Sequence, residues 1–419
     1  MGSRSATASF DWLTIFLFLA LAGIGWMNIY SASLEADAVS GTFDLSNLYT
    51  KQFIFILFSL VLIVLILSTD AKFFERFASI FYIVSLVLLL GLYVFGKNVN
   101  GATSWYAIGS FTLQPGEFAK SATALALAKY LSDIQTDVKS FQHQLRAFLI
   151  IALPAIFIIP QPDPGSALVY AAFFFPLYRE GLSGIYLIIG LITVSLFILT
   201  LIVGPLWITV GVVAIAIALL IKNRKKRTGK RFYFLLPVIC IAFAFSVNYI
   251  FNNVFEQRHR DRFNVVLGND VDQQSVGYNT YQSEIAIGNG GLTGRGFLQG
   301  TQTQGDFVPE QSTDYIFSTV GEEWGFIGST LVVFLFVGLI LRVIFLAERQ
   351  KNQFSRIYGY SVAGILFIHF CVNIGMVTGL LPTVGIPLPF FSYGGSGLWG
   401  FTILLFIFVK LDSNRVNEW

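Results

Sequence analysis

Long apolar runs recur along almost the whole chain, and they constrain the fold more than any other feature of the sequence. Each run is about 20 residues long, the number a helix needs to cross the hydrocarbon core of a bilayer. Backbone groups exposed to lipid must be hydrogen bonded within their own segment, so such runs form helices. With 55% hydrophobic and 12% charged residues, the chain is predicted to be an all-α polytopic membrane protein with a single integral membrane domain, residues 1–419.

Twelve runs are long enough to be predicted as transmembrane helices. They lie at about 12–31, 51–69, 74–96, 116–132, 145–160, 164–178, 184–203, 205–221, 233–253, 313–345, 358–378 and 393–410. The first is long enough to span, so we expect it to stay in the membrane rather than be cleaved as a signal peptide. The prolines and glycine of 161–165 predict a break or tight turn, and Gly204-Pro205 predicts a weaker break or a kink.

Lysine and arginine residues in the short loops set the orientation of these helices. The strongest signal is KNRKKRTGKR at 222–231, and the basic residues of 342–356 lie on the same predicted side. Both termini are then predicted to be cytoplasmic in a multi-pass protein of the cytoplasmic membrane. Three polar segments, 97–115, 254–312 and 379–392, are predicted to meet on the extracytoplasmic face.

The longest polar segment, 254–312, gathers charges of both signs on a glycine-rich backbone. Its charged residues include Arg258, Arg260, Arg262, Arg295, Asp261, Asp270, Asp272, Glu284, Asp306 and Glu310. Glycine permits tight turns and close approach of one backbone to another. Connections this long are usually functional or disordered, and the aromatic and aliphatic residues here argue against disorder. We therefore predict a large extracytoplasmic loop that carries the active site.

A second polar stretch, GKNVNGATSWYAIGSFTLQPGEFAK at 96–120, leads into a predicted helix. Pro115 suits the first helical position, and Glu117 falls in the first turn, where the helix dipole favours an acid. Glu117 and Lys120 are three residues apart, so they share a helix face and can pair. A capped helix with aromatic residues such as Trp105 at the membrane interface explains the stretch structurally. Ionisable groups at membrane depth are costly, however, and usually functional.

Two further motifs interrupt the apolar pattern. Asp163 lies between two prolines in QPDPG, where turn chemistry and function are equally good explanations. Residues 373–397, NIGMVTGLLPTVGIPLPFFSYGGSG, contain three prolines and six glycines. Broken backbone near membrane depth is tolerated where protein buries it or where it lines a cavity. Ser392, Tyr393 and Ser396 offer hydroxyl groups there, although a purely structural re-entrant loop remains an alternative.

Together these motifs resemble the SEDS family (shape, elongation, division, sporulation). The resemblance is carried by GATSWYAIG, QPGEFAK, QPDPGSA, GYNTYQSEIAIGNGGLTGRG, FVPEQSTDYIFSTVGEEWGFIG and NIGMVTGLLPTVGIPLPFFSYGGSG, which stand in the family's order over nearly the whole chain. GTQTQ before FVPE, and NIGM followed by GIPLPF, are more similar to the elongation branch than to the division branch. Members of the family have about ten spans, so the resemblance implies a family core of ten helices plus an inserted pair within 184–253.

The resemblance implies a peptidoglycan glycosyltransferase that polymerises lipid II into glycan strands on the outer face of the cytoplasmic membrane. It also implies a class B penicillin-binding protein as the partner transpeptidase, within the cell-elongation machinery. In this family an acidic residue shortly before the GYxxxQS motif is essential, and Asp272, six residues before Tyr278, matches that position. Asp270 is a rival; Asp261 and Asp306 match less well.

The expected chemistry suits one carboxylate. Pyrophosphate is already a good leaving group, so the reaction needs a general base for the acceptor's 4-hydroxyl but no acid, unlike the paired carboxyls of glycosidases. We assign Asp272 as this base. Cations should neutralise the pyrophosphate: Arg262 matches an arginine common in the family, and Lys120 is the second, with a further potential role in orienting Asp272. Glu117, Trp105, Ser392 and Tyr393 complete the predicted substrate-binding set, while Arg258, Arg260 and Arg295 are weaker candidates.

The sequence departs from the family pattern in three places. Ser104 stands before Trp105 where the family often has arginine, which removes one phosphate contact. Gly268-Asn269 replaces the usual Asp-Pro before the catalytic acid, which changes the expected loop shape. The added helical pair in 184–253 preserves the orientation of the loop that follows, because it crosses the membrane twice.

Two other classes of function fit the architecture: a flippase or transporter of a lipid-linked cell-wall precursor, and a non-catalytic scaffold. Transporters place charges near the midplane between inverted repeats, whereas the charges here gather in loops and at helix ends. A divalent cation, Mg²⁺ or Mn²⁺, is compatible with a pyrophosphate substrate, but the widely spaced histidines and the two cysteines in apolar runs predict no metal cluster and no disulfide. Lipid II, the transpeptidase and the bilayer are the expected partners, and nucleic acid is not.

Overall fold

The computed structural model describes residues 10–34, 44, 47–99, 101–109, 111–222, 230–253, 255, 257–267 and 277–415. The helices in chain order are α1 (Trp12–Ala32), α2 (Leu48–Ser68), α3 (Ala71–Phe95), α4 (Pro115–Leu131), α5 (Phe141–Ile158), α6 (Pro164–Leu168), α7 (Phe174–Arg179), α8 (Ile185–Val203), α9 (Pro205–Lys222), α10 (Lys230–Asn253), α11 (Gln257–Val266), α12 (Tyr278–Gly290), α13 (Thr301–Gln304), α14 (Ile316–Glu348), α15 (Gln353–Val377) and α16 (Gly395–Asn414). A 3-10 turn, Val169–Phe173, joins α6 to α7.

The prediction of an all-α polytopic membrane protein is confirmed. Ten helices in the described part of the chain are long and apolar enough to cross a bilayer. The predicted count of twelve is not confirmed, because two predicted spans are not long continuous helices. One corresponds to α4, which has 17 residues. The other, 164–178, is divided between α6, the 3-10 turn and α7.

Both predicted breaks are present. Between α5 and α6, Pro162 has a positive φ of 27°, and Asp163 caps α6 by accepting a hydrogen bond from the Ser166 amide. Between α8 and α9, Gly204 has φ of 88°, a value that glycine adopts without steric cost, and Pro205 then starts the next helix.

A small antiparallel sheet, absent from the sequence expectations, occupies the segment between α3 and α4. Its strands are β1 (Lys97–Val99), β2 (Ala102–Ile108) and β3 (Phe111–Leu113), in the order β1-β2-β3. Trp105 pairs with Lys97 across one ladder and Tyr106 pairs with Leu113 across the other. β-Branched and aromatic side chains favour strands, and two glycines with positive φ, Gly101 and Gly109, follow β1 and β2.

The described chain divides into two compact units. The first combines residues from 1–182 and 278–419, and the second comprises residues from 183–277. The second unit contains α8 to α11, where Phe263 of α11 packs edge-on against Phe197 and Phe251. On α9 no residue is buried. Helices that expose apolar side chains so extensively fit a lipid environment.

The core of the first unit is built around α4, α15 and α16. Helix α4 packs against α3, α5, α15 and α16, and nearly all of its residues are buried. Its interior reads SATALALA. Small side chains of this kind let neighbouring helices approach closely, which is how membrane helices pack in the absence of a hydrophobic driving force.

Helix α12 lies against the first half of α14 with backbone touching backbone. A Cβ atom added at Gly290 would overlap the carbonyl oxygen of Gly321. Helix α14 is interrupted at Gly325, whose φ of 64° is not helical. The turn after α12 pairs with the backbone groups released by this kink: the amides of Arg295 and Gly296 donate to the carbonyls of Glu322 and Glu323 at 2.9 and 3.0 Å. The expectation that glycine in this segment permits close backbone approach is confirmed at Gly290.

Candidate functional site

The polar segments of the first unit meet at one end of its helices. The amide of Tyr393 donates to the carbonyl of Ser312 at 2.9 Å. The amide of Gln114 donates to Ser396 Oγ at 3.1 Å, and that hydroxyl donates to the Thr112 carbonyl at 3.2 Å. The segment before α4, the segment before α14 and the segment before α16 are therefore in direct contact.

A buried ion pair lies on α4 just below this junction. Lys120 Nζ lies 2.8 and 2.7 Å from the two carboxylate oxygens of Glu117, and the side chains are 2% and 3% exposed. Pro115 is at the start of the helix and Glu117 is in its first turn, as the sequence predicted. The predicted pairing of Glu117 with Lys120 is thus confirmed in its geometry.

His369 of α15 and Phe401 of α16 complete the surroundings of Lys120. Nε2 of His369 lies 3.0 Å from Lys120 Nζ, and the ammonium lies 4.8 Å from the centre of the Phe401 ring. A cation over an aromatic face is stabilised by the ring quadrupole. The sequence analysis treated the histidines only as possible metal ligands and so did not predict this contact. A lone histidine within an apolar span is the sequence feature that could have indicated it.

Two buried glutamates at the start of α14 were also missed. Glu322 accepts hydrogen bonds from the amides of Gln302 and Thr303, both at 2.8 Å, and from two threonine hydroxyls, so it holds the first turn of α13. Glu323 accepts a hydrogen bond from the Ser31 hydroxyl of α1, while its Oε2 has no partner among the described residues. Consecutive acids inside a long apolar run are the sequence signal that could have found them.

The hydroxyl residues of 373–397 have local roles. Ser392 Oγ accepts a hydrogen bond from the Leu388 amide at 2.9 Å, which closes a turn in the non-helical segment. Tyr393 is half-buried and its ring lies 6.3 Å from that of Phe55. Burial raises the pKa of the Tyr393 hydroxyl above its usual value. Trp105 is half-buried on β2.

Asp163 joins the turn before α6 to the segment before α4. Besides capping α6, its Oδ2 accepts a hydrogen bond from Gln114 Nε2 at 3.1 Å and from Ser166 Oγ at 2.8 Å. These contacts are structural, and they tie the predicted turn to the residue that precedes α4.

The charged residues of 254–312 are distributed over both units. Asp272 and its rival Asp270 lie outside the described residues. Arg262 lies on α11 in the second unit. In the same unit, Arg260 donates to the Asn252 carbonyl at 3.0 Å, and Asp261 accepts from Gln257 Nε2 at 2.7 Å.

The remaining charges of that segment belong to the first unit. Arg295 Nε donates to the Asn289 carbonyl at 3.0 Å. Asp306 has a positive φ of 51° and accepts from Gln311 Nε2 at 3.3 Å, which indicates a turn residue. Among the residues that the structure describes, no group of three or more His, Cys, Asp or Glu side chains is arranged to hold a metal ion.

Ion pairs occupy the opposite end of the first unit. Asp11 at the start of α1 pairs with Arg342 on α14, Asp412 pairs with Arg349, and Glu180 pairs with Arg356. Burial raises the pKa of Asp11, but hydrogen bonds from Arg342 and Thr14 outweigh burial and lower the pKa from 3.8 to about 2. Arg342, Arg349 and Arg356, which the sequence assigned to one side of the membrane, therefore lie at the end of the first unit remote from the Glu117–Lys120 pair.

The family model for FtsW, RodA and SpoVE, described as a cell cycle protein, matches residues 11–228 and 208–417. The chain belongs to the FtsW/RodA/SpoVE family. The matched residues extend over nearly all of both units, so family membership concerns the whole chain. The resemblance drawn from the sequence motifs is confirmed.

Curated members of the FtsW/RodA/SpoVE family align over most of the chain. Peptidoglycan glycosyltransferase RodA of Treponema pallidum is 30% identical over 434 residues, covering 98% of this chain and 99% of the relative. Peptidoglycan glycosyltransferase MrdB of Escherichia coli K12 is 32% identical over 342 residues, covering 81% of this chain and 78% of the relative.

Solved structures of the family share the fold. A chain of a peptidoglycan synthase complex, described as coordinating polymerization and crosslinking, matches with a TM-score of 0.72 at 23% identity, covering 98% of this chain and 99% of that one. The rod shape determining protein RodA of Thermus thermophilus matches with a TM-score of 0.63 at 23% identity, covering 99% of each chain.

Proposed function

We propose that this protein is a peptidoglycan glycosyltransferase that polymerises lipid II into β-1,4-linked glycan strands during cell elongation. The observation that supports this most strongly is family membership over the whole chain, with relatives named as peptidoglycan glycosyltransferases. The alternative of a precursor flippase or transporter is not favoured, because it finds no support in the names of these relatives.

In the proposed reaction, the acceptor's 4-hydroxyl oxygen attacks the anomeric carbon of the donor sugar. The bond between that carbon and the pyrophosphate oxygen breaks, and the polyprenyl pyrophosphate leaves with the bonding electrons. Asp272 receives the hydroxyl proton as general base, and attack from the opposite face converts the α-linkage into a β-linkage. Arg262 is proposed to neutralise charge on the leaving pyrophosphate.

The geometry of Lys120 revises its proposed part in substrate binding. Its three N–H groups face three acceptors, two on Glu117 and one on His369, and its side chain is 2% exposed. In this arrangement Lys120 has no donor left for a phosphate oxygen. We therefore propose that the pair keeps the outer end of α4 in place, below segments that carry Trp105, Ser392 and Tyr393.

Orientation and partners form part of the same proposal. The cationic end of the first unit faces the cytoplasm with both termini, and the end carrying the Glu117–Lys120 pair faces outward, as the positive-inside rule predicts. The partner is a class B penicillin-binding protein that crosslinks the strands; a related chain belongs to a complex described as coordinating polymerization and crosslinking.

Polymerisation of lipid II by the purified full chain, with and without the partner transpeptidase, tests the activity. Asp272→Ala should lower the rate by at least about a hundredfold, the lower bound for loss of a general base, whereas Asp270→Ala should retain it. Polymer formation by Asp272→Ala at the unchanged rate would refute the assignment of the base. Transport of lipid II across vesicles without polymer would favour the transporter.

Cysteine labelling tests the orientation. In a background with Cys240 and Cys371 replaced by serine, Gln299→Cys should react with an impermeant maleimide on intact cells. Lys351→Cys, at the opposite end, should react only after permeabilisation. Both positions are exposed. The reverse pattern would place the proposed active site in the cytosol, away from its acceptor strand, and would exclude the proposed reaction.

A further inference from the structure

His369 has a defined protonation pattern imposed by its two neighbours. Nδ1 lies 3.1 Å from the carbonyl oxygen of Pro387, which can only accept a hydrogen bond. Nδ1 therefore carries the ring proton, and Nε2, 3.0 Å from Lys120 Nζ, presents its lone pair to the ammonium. A doubly protonated ring would set an N–H group against the N–H groups of Lys120.

The same face of α15 holds the non-helical segment 378–394 at two successive carbonyls. One turn beyond His369, Asn373 Nδ2 donates to the Ile386 carbonyl at 2.7 Å and to the Asp314 carbonyl at 2.8 Å. Residues four apart on a helix are neighbours on its surface. Because segment 378–394 is not helical, its buried carbonyls need donors from elsewhere, and these two side chains supply them.

His369 is therefore in contact with both segment 378–394 and the ion pair on α4. The ring is 1% exposed and packs edge-on against Phe401, with 4.7 Å between ring centres. Phe401 also lies beneath the Lys120 ammonium. The ring has little room to move while Pro387 keeps its position, so the loop geometry fixes the third acceptor of Lys120.

We propose that His369 is a positioning residue that couples segment 378–394 to the Glu117–Lys120 pair. With Pro387 in place, Nε2 holds one N–H of Lys120 and the amine stays buried. When the Pro387 carbonyl moves away, the ring loses the acceptor that orients it, and one N–H of Lys120 is released toward a pyrophosphate oxygen of the substrate. The release of Lys120 toward the substrate rests on the proposed glycosyltransferase function, whereas the positioning of Lys120 by His369 does not.

Three substitutions separate the two nitrogens of the ring. His369→Gln keeps an acceptor near the position of Nε2, His369→Asn keeps a donor near the position of Nδ1, and His369→Leu keeps neither. Thr402→Val is the matched control, because it removes a buried hydrogen bond within α16, from the Thr402 hydroxyl to the Leu398 carbonyl, and leaves the contacts of His369 unchanged. Thermal unfolding of each purified full-length variant in detergent identifies any that fail to fold.

The first measurement is the rate at which an amine-reactive reagent modifies Lys120, followed by mass spectrometry. His369→Asn and His369→Leu should raise this rate by about fivefold, the factor that one ordinary hydrogen bond represents. His369→Gln and Thr402→Val should match the wild type. Equal rates in all variants, or a rate for His369→Gln equal to that of His369→Leu, would overturn the proposal. If His369→Leu fails to fold, the Gln and Asn variants alone decide it.

The second measurement is lipid II polymerisation, with kcat and KM determined separately. His369→Gln, which holds Lys120 whether or not the Pro387 carbonyl has moved, should lower kcat with little change in KM, and His369→Asn, in which that N–H is already free, should lower kcat less. Equal kcat values for His369→Gln and His369→Asn, or a lower value for His369→Asn, would overturn the coupling to catalysis. Absence of polymer from the wild type would refute the proposed function instead, and the labelling result would still decide the positioning role.

Discussion

Removal of either member of the Glu117–Lys120 pair should destabilise the protein far more than removal of both. The two groups lie 2.7 Å apart and are at most 3% exposed. At an effective dielectric constant of about 20, unit charges at this distance attract by about 6 kcal/mol, and each ion gives up several kcal/mol of hydration. Lys120→Met alone leaves a buried carboxylate without its cation, and Glu117→Gln alone leaves a buried ammonium without its anion.

We expect each single variant to lose about 3–5 kcal/mol of unfolding free energy, the usual cost of breaking a buried pair. Lys120→Met also leaves Nε2 of His369 without a donor, which adds about 1 kcal/mol. The double variant should lose far less than either single variant, because replacing a buried pair by uncharged groups of similar volume is often close to neutral. The interaction energy from the four proteins should then be at least about 3 kcal/mol.

Unfolding in mixed detergent micelles with increasing SDS, applied to the wild type, both single variants and the double variant, provides this comparison. The exposed pair Arg179–Glu348, 2.8 Å apart with side chains 42% and 45% exposed, is the control. Its cycle should give an interaction energy below about 1 kcal/mol. A double variant at Glu117 and Lys120 whose loss equals the sum of the single losses would refute the argument that burial makes the two charges interdependent.

Three further perturbations test the packing and electrostatics of the first unit. Gly290→Ala should lower the free energy of unfolding by about 1–3 kcal/mol or more through overpacking against α14. Gly288→Ala, with open space around its Cβ position, should be neutral or slightly stabilising. Equal effects of the two substitutions in thermal unfolding would contradict the close contact at Gly290. Glu322→Ala should lower the free energy of unfolding by about 2–4 kcal/mol, because it leaves buried amides of α13 without an acceptor. Glu284→Ala removes an exposed side chain and should change the free energy of unfolding by no more than about 0.5 kcal/mol. Asp11→Asn should cost about 2 kcal/mol at pH 7. Because the folded pKa of Asp11 is depressed from 3.8 to about 2, this difference from the wild type should be present above pH 3.8 and should shrink as the pH falls through 2. A difference that stays at its full size at pH 2 would contradict the pKa shift.

Features governed by short stretches of sequence were predicted well. The apolar runs predicted the membrane helices, because length and hydropathy alone decide whether a segment can span a bilayer. The breaks at 161–165 and at Gly204 followed from the backbone preferences of proline and glycine. The count of twelve spans was not confirmed, since a run of apolar residues does not reveal whether a helix such as that of 164–178 stays continuous against its neighbours.

The candidate site was predicted in part. The spacing of Glu117 and Lys120 predicted their pairing, and the polar segments before α4, α14 and α16 do meet. The sequence assigned Lys120 to the substrate, whereas the structure surrounds it with Glu117 and His369. The assignments of Asp272 and Arg262 came from the family resemblance and stay predictions.

The sequence by itself determined the class of protein, its family and the short-range partners along each helix, because these depend on local hydropathy, motif order and helical spacing. Only the tertiary structure decided that His369 lies against Lys120, 249 residues away, and that Glu322 holds the first turn of α13. Such contacts depend on how helices far apart in the chain pack side by side. A histidine in an apolar run has the same local pattern whether it faces lipid, a neighbouring helix or a buried ammonium, so helix packing alone determines which of these it meets.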